Sequence, residues 1–448
     1  MTIDQFAKII FEKAKARNFD AYELYYQYGN SMSLEAYQGE IHSYSDSTVT
    51  GVNFRVVIGG KSGSCYSEVL DEEAIDYLLD SAYQAATHIE NDDDIHLVEP
   101  GLDYPALDIY DEAFSQVDSA QKIDFVIGCE KSALEQPIIS QVNAMHYVDG
   151  MTGCRLFNSN GLDIGYQTNN AYAYIAALAK DGSASHSAIE FTYGRDFDAL
   201  VDSPLVARAV DQLNAKMGAK SIASGTYPVV FAGKAFADLL SVFISSFSAE
   251  MTQKGMSLLA GKVGEQIAAA GFSLIDDPLL KDGLSSAPFD GEGVPTYKKY
   301  LIKDGELLTL LHNMNTAKKD GVETTGNASR GSFKATIGVA PTNAYVEPGD
   351  LSVEQLYQSV GDGLVIEELD GLHAGANPIS GEFSLSARGF KLAGGARDQA
   401  VNQIVVSGNF FKVIKNIAGI ADDLVFRLSA IGAPSLYVGE LSVAGSDS

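Results

Sequence analysis

The stretch Phe289-Asp290-Gly291-Glu292-Gly293-Val294-Pro295-Thr296 sets two carboxylates two positions apart, each followed by a glycine. Two acids this close can share a proton or hold a metal ion. The glycines permit φ > 0, which a tight turn before Pro295 requires. A hairpin with its tip at Lys303-Asp304-Gly305-Glu306 follows, and the turn Thr325-Gly326-Asn327 closes the block. His312 and His373, the histidines of the C-terminal half, could complete a metal site with Asp290 or Glu292. Neither has a His or carboxylate at a helical i+4 position, so their spacing gives no ligand signature.

Other residues offer weaker chemistry. Ser241, Ser245 and Ser248 lie beside the apolar stripe Phe236, Leu239, Leu240, Phe243 and Phe247. Serines at helical spacing cap, face water or bond back to a carbonyl more often than they catalyse, and no G-x-S-x-G elbow is present to expose one. Gly60-Lys61-Ser62 would need a glycine five positions before Gly60 to be a phosphate loop; Arg55 stands there, so this is a hairpin tip. Ser380-Gly381-Glu382-Phe383-Ser384 and Val406-Ser407-Gly408-Asn409 could let an extended peptide approach a strand, or could be sheet turns and a helix cap.

From Phe289 to Ser329 the order of acid-Gly-acid-Gly turn, hairpin, short helix and Thr-Gly-Asn resembles the TldD/PmbA (TldE) family of peptidase-complex subunits. The "Ser-Gly-acid-aromatic-Ser" and "Gly-Asn" elements around Gly381 and Asn409 resemble it too. In the TldD branch an upstream helix carries the zinc-binding motif His-Glu-x-x-x-His. Lys254-Gly255-Met256-Ser257 matches the continuation of that segment and fixes its register. The resemblance then places Ser241 and Ser246 where the histidines would stand and Val242 where the glutamate would. The cysteine that completes the metal shell in that branch also has no counterpart, since Cys154 is the last cysteine of the chain. The chain therefore looks like the PmbA/TldE branch, with no catalytic residue and no metal of its own. Zinc is expected in a TldD-type partner. Asp290, Glu292, Gly293, Asn327, Gly381 and Asn409 are the candidates for a junction with that partner or with substrate.

Composition narrows the function classes. The 448 residues, 46% hydrophobic and 10% aromatic, suit two or three folded domains. A net charge of −28 argues against nucleic acid as a partner, since phosphate binding needs clustered Lys and Arg. Three cysteines without a CxxC pair fit a reducing compartment. No signal-like segment is visible, and no apolar run approaches the ~18 residues that cross a bilayer, so a cytoplasmic protein is expected.

These residues must be positioned by an α+β fold. Ile3, Phe6, Ala7, Ile10, Phe11 and Ala14 give an amphipathic helix. Strand-like runs follow at 21–28, 32–37, 48–58 and 62–67, then a helix burying Ala74, Ile75, Leu78, Leu79 and Ala82. The order repeats with a helix at 118–135, strands near 138–148, 152–158, 161–178 and 184–194, and a helix at 203–218. The turns are assigned to Gly29-Asn30, Gly59-Gly60, Asp149-Gly150, Asn160-Gly161 and Asp181-Gly182. Residues 1–220 thus read as a domain of two α-β4-α units, 1–88 and 115–220, with the acidic Glu90–Asp94 as a solvated linker. Residues 225–448 read as a second domain with a curved or barrel-like, mainly antiparallel sheet and short helices at 352–360 and 409–418.

The reading that follows is a cytoplasmic TldE/PmbA-like subunit, itself without the zinc motif, of a complex acting on unfolded or precursor peptides. Alone it is expected to homodimerise through an apolar surface. The rivals are a self-sufficient peptidase with a site near Asp290, Glu292 and His312, and a non-enzymatic protein-binding regulator.

Overall fold

The computed structural model describes residues 1–88, 95–182 and 184–446. The acidic stretch Glu90–Asp94 lies outside them. Helix α1 (Ile3–Ala16) starts at a capping box in which Thr2 and Gln5 satisfy each other's backbone N–H groups, and it buries Phe6, Ala7, Ile10 and Ala14. Strands β1 (Ala21–Tyr37), β2 (Glu40–Ile58) and β3 (Lys61–Ser67) follow, then helix α2 (Glu72–His88). Both helices pack on one face of these strands around Leu24, Val52, Phe54 and Val56.

The second unit repeats the plan with α3 (Ser119–Leu134), β4 (Gln141–Asn158), β5 (Asp163–Asp181), β6 (Ala184–Gly194) and α4 (Leu205–Lys216). All six strands form one sheet of order β3-β2-β1-β4-β5-β6, and every neighbouring pair is antiparallel.

The α+β class and the paired units agree with the sequence. The strand count corrects it: each unit has three long strands in place of four. Gly29-Asn30 and Asp149-Gly150 are not turns. They face each other across the β1–β4 pair, with Asn30 opposite Met151 and Ser31 opposite Gly150. A Cβ on Gly29 would stand 2.3 Å from the Met151 carbonyl oxygen, and one on Gly150 2.5 Å from that of Asn30. The glycines therefore serve a close approach of two backbones, the second common use of glycine inside a strand.

In the C-terminal half, β7 (Gly225–Phe231), β8 (Gly363–Asp370), β9 (Glu382–Ala393), β10 (Ala396–Asn409) and β11 (Leu436–Ala444) close into a five-stranded barrel. The β7–β8 contact is parallel and the other four are antiparallel. Helix α5 (Gly233–Phe243) leaves β7 directly and buries Phe236, Leu239, Leu240 and Phe243 in the largest core cluster, where the Phe243 ring stacks on Phe410 at 4.6 Å. A second sheet runs through Leu274–Asp276, Lys299–Lys303, Ala344–Val346 and Ile431–Ala433. Short helices stand at Val353–Val360 and Phe410–Lys415, the latter capped by Asn409. Among the described residues no helix is long and apolar enough to cross a membrane.

Candidate functional site

The Asp290 turn is built by its own carboxylate. Oδ1 accepts from the N–H of Glu292 at 2.9 Å and of Val294 at 3.0 Å, while Oδ2 accepts from Ala328 at 2.9 Å. Gly291 N–H donates to the Ala328 carbonyl, so the turn is laced to the strand that follows Asn327. Burial first, and the neighbouring Glu292 second, outweigh these three donors and push Asp290 up to about 7. Gly293 has φ +87°, and a Cβ there would lie 2.8 Å from Leu156 Cδ2. Its carbonyl accepts from the Tyr104 hydroxyl at 2.9 Å. The tip of the turn is thus wedged against the N-terminal sheet, in a cluster with Tyr25, Leu156, Leu162, Phe289 and Phe333.

Glu292 points the other way. Its Oε2 accepts from Met314 N–H at 2.8 Å, at the start of the helix Met314–Asp320, and its Oε1 is 3.9 Å from Arg55 Nη1. Burial raises its pKa, with Arg55 opposing. Arg55 donates to Glu23 at 3.0 Å, and Arg330 donates both to Glu23 and to the Gly291 carbonyl. A row of alternating charge, Glu292, Arg55, Glu23 and Arg330, is thereby sealed between the two halves of the molecule, each side chain no more than 8% exposed. None of Glu23, Arg55 and Arg330 was singled out from sequence. The signal was present, because Glu23 and Arg55 each interrupt an apolar strand and are direct cross-strand partners.

Asn327 belongs to a second buried network. Its amide donates to Asp276 at 2.8 Å and to the Ala340 carbonyl, and its oxygen accepts from Lys299 and Thr325. Burial lowers the Lys299 pKa against the pull of Asp276. The Asn327 N–H donates to the His312 carbonyl, which joins this network to the next residue of interest. His312 is buried, and burial lowers its pKa. His373 is exposed, and the two histidines do not combine with the acids: among the described residues no group of three or more His, Cys, Asp or Glu could hold a metal ion.

The positions matched to the zinc motif lie where α5 ends. Ser241 donates to the Asp238 carbonyl at 2.7 Å, and Val242 packs on the core. After Phe243 the chain tightens into the 3₁₀ turn Ile244–Phe247, where buried Ser246 donates to the Pro378 carbonyl at 3.0 Å. The Ser246 carbonyl in turn accepts from Ser257 at 2.6 Å. Phe247 and Ala249 exchange backbone hydrogen bonds with Leu311, next to His312. On the Pro378 side, Gly381 closes its turn at φ +79°, and Asn409 donates to the Ser380 carbonyl and the Glu382 carboxylate while capping its helix. The structure therefore gathers the candidates in two groups. Asp290, Glu292 and Gly293 stand at the junction of the halves, with Asn327 behind them in a network made of C-terminal residues, and Gly381 and Asn409 stand by the end of α5.

Family models cover this architecture almost end to end. They match PmbA/TldA metallopeptidase domain 1 at residues 22–86, the central domain at 112–217 and the C-terminal domain at 224–445. The chain belongs to the PmbA/TldD family. A Haemophilus influenzae metalloprotease PmbA homolog is 26% identical over 93% of this chain and 90% of its own length. A Thermotoga maritima structure described as a modulator of a DNA gyrase is 32% identical, with a TM-score of 0.92 over 99% of this chain and all of that one. TldE from Thermococcus kodakarensis has the same fold, with a TM-score of 0.88 at 22% identity over 98% of this chain and all of its own. The mixed α+β architecture with its closed barrel is thus the architecture of PmbA/TldD proteins.

Proposed function

We propose that this chain is a TldE/PmbA-type subunit, itself without zinc, of a cytoplasmic TldD/TldE-type peptidase complex that acts on unfolded or precursor peptides. The observation that carries the reading is the end of α5. Ser241 and Ser246 both spend their hydroxyl protons on backbone carbonyls, and Val242 stands between them. A neutral hydroxyl is a poor zinc ligand and valine cannot activate a metal-bound water, so these residues do not fit the metal and no hydrolytic step is assigned to them. None of the seven histidines is followed by a glutamate, so the motif does not stand elsewhere in the sequence.

The zinc belongs to a TldD-type partner in this reading, and a second copy of the chain substitutes for that partner when it is absent. Asp290 and Glu292 use their acceptors on backbone N–H groups. That supports a role in shaping the junction beside the partner's or the substrate's site over direct proton transfer. Capture of the tagged chain from native extract, with bound proteins identified by mass spectrometry, tests the assignment. A chain containing His-Glu-x-x-x-His should be recovered, and peptide hydrolysis should require both proteins. Chelator-sensitive hydrolysis by this chain alone would overturn it.

A further inference from the structure

Where β6 meets the C-terminal half, a cavity of about 190 Å³ stays open. Its walls include Tyr193 from β6, Leu280 and Leu284 from the loop after Leu274–Asp276, and Phe426, Arg427 and Ala430 from the hairpin between Val425–Phe426 and Ile431–Ala433. Protein interiors pack closely enough that a gap of this size usually closes. Here the walls are held apart. Arg195, just past β6, donates to the Ile109, Lys281 and Gly283 carbonyls at 2.9–3.0 Å and so pins the 280–284 loop. Arg427 Nε donates to Asp238 of α5 at 2.9 Å, and its guanidinium lies 4.8 Å from the centre of the Phe191 ring. The Phe426 ring meets Tyr345 edge-on at 5.5 Å. Ala430 takes φ +59°, a left-handed conformation that costs energy for a residue with a Cβ. Strain kept in this way is characteristic of sites that bind.

Size and lining select the occupant. An apolar cavity of ~150 Å³ is enough to hold benzene, so this one has room for a single six-membered ring. Its apolar and aromatic walls suit such a ring, and Arg427 favours an aromatic ring over an aliphatic one of the same size. The cavity does not end at Tyr193. Tyr193, Lys281 and Asp282 also line a second cleft of about 550 Å³, which runs past Arg195 to Asp108, Asp111 and Asp196. In that cleft four carboxylates stand against two cations. A ring carried on a chain, with positive side chains beside it, matches both openings in size and charge.

We propose that the cavity binds the side chain of a phenylalanine or tyrosine in a peptide, with a neighbouring lysine or arginine in the acidic cleft. Asp238, which orients Arg427, stands three residues before Ser241 on α5, so the bound ring lies beside that helix. Its use in choosing substrates rests on the peptidase reading above, while the binding itself does not.

Ligand-observed NMR titration of the full chain with N-acetyl-Lys-Phe-Lys amide tests the proposal. Alanine in place of the probe's phenylalanine should weaken binding about tenfold or more, since it gives up the burial of the ring. Glutamates in place of its lysines should also weaken binding, by a factor that shrinks as salt rises. Cyclohexylalanine in place of its phenylalanine should bind about two- to fivefold more weakly, and Arg427→Gln should remove that difference. Leu284→Trp fills the cavity from a half-buried position and should abolish the preference for phenylalanine over alanine. Leu280→Trp, from another wall, repeats the measurement if the first variant does not fold. Equal affinity for the phenylalanine and alanine probes, or a preference that survives in a folded tryptophan variant, would overturn the proposal. So would tighter binding of free 4-methylphenol than of the peptide, which would assign the cavity to small aromatic compounds. None of these readouts uses hydrolysis or a TldD-type partner, so failure of the peptidase reading leaves them unchanged.

Discussion

Asp290 shows how a residue that could do chemistry is committed to geometry. Its two oxygens hold three N–H groups, and an amide in its place offers one oxygen, leaving an NH₂ to face the Ala328 N–H. Above pH 7, where the acid is ionised, Asp290→Asn should therefore lower the thermal midpoint of the isolated chain, at about 1.5–3 kcal/mol for a charged hydrogen bond lost. The pH dependence has a definite sign. The folded acid holds its proton up to about 7, while the unfolded one releases it near ~4. Between these values the folded state binds more protons, so this group's contribution is fully present below pH ~4 and is lost as pH rises to about 7. The midpoint of the wild type should fall over that window, and Asp290→Asn should flatten this part of the slope. A variant with the same midpoint and the same slope would show that Asp290 neither builds the turn nor titrates there.

At the scale of elements, the end of α5 carries the functional argument. Ser241 bonds back to a carbonyl three residues earlier at a partly exposed site, so Ser241→Ala should change little. Ser246 is buried and its donation to Pro378 holds the loop before Gly381, so Ser246→Ala should destabilise by about 0.5–1.5 kcal/mol. Turnover of the assembled complex should stay within a few-fold of wild type for both variants, and the purified chain should carry no stoichiometric zinc. Loss of several orders of magnitude in turnover, or one tightly held zinc per chain by elemental analysis, would return catalysis to this helix.

The same scale shows what the sequence disclosed. The helices were visible because Phe6, Ile10 and Ala14, or Phe236, Leu240 and Phe243, recur on one face. The turn at Gly59-Gly60 was visible because both glycines take left-handed conformations there. Gly29-Asn30 and Asp149-Gly150 misled because glycine also serves two crossing backbones, and only the pairing of β1 with β4 tells the uses apart. The Asp290 block stood out from its own spacing, but its partners Glu23 and Arg55 lie in the other half of the fold, and Arg330 folds back onto Gly291 from beyond the Thr-Gly-Asn turn. Local pattern carries no record of such contacts.

Across the whole molecule, the N-terminal sheet and the C-terminal half share a buried electrostatic junction. Glu23 is its centre, holding Arg55 from the neighbouring strand and Arg330 from the segment after Asn327, whose guanidinium also lies 4.8 Å from the centre of the Tyr25 ring. Breaking a buried ion pair from one side leaves the other charge without compensation, typically at about 3–5 kcal/mol. Glu23→Gln leaves two arginines short of their shared carboxylate while keeping the side chain's volume. The thermal midpoint should drop, and because the lost contacts span the junction, the two halves should lose cooperativity. Calorimetry should then resolve one transition for wild type and two for the variant, the junction having been weakened more than either core. A single transition at an unchanged midpoint would mean that the remaining contacts, the packing of Phe289 and Phe333 with pairs such as Lys216–Glu368 and Lys234–Glu190, are enough to join the halves. In that case the row of charge would set the orientation of the Asp290 turn without adding to its stability.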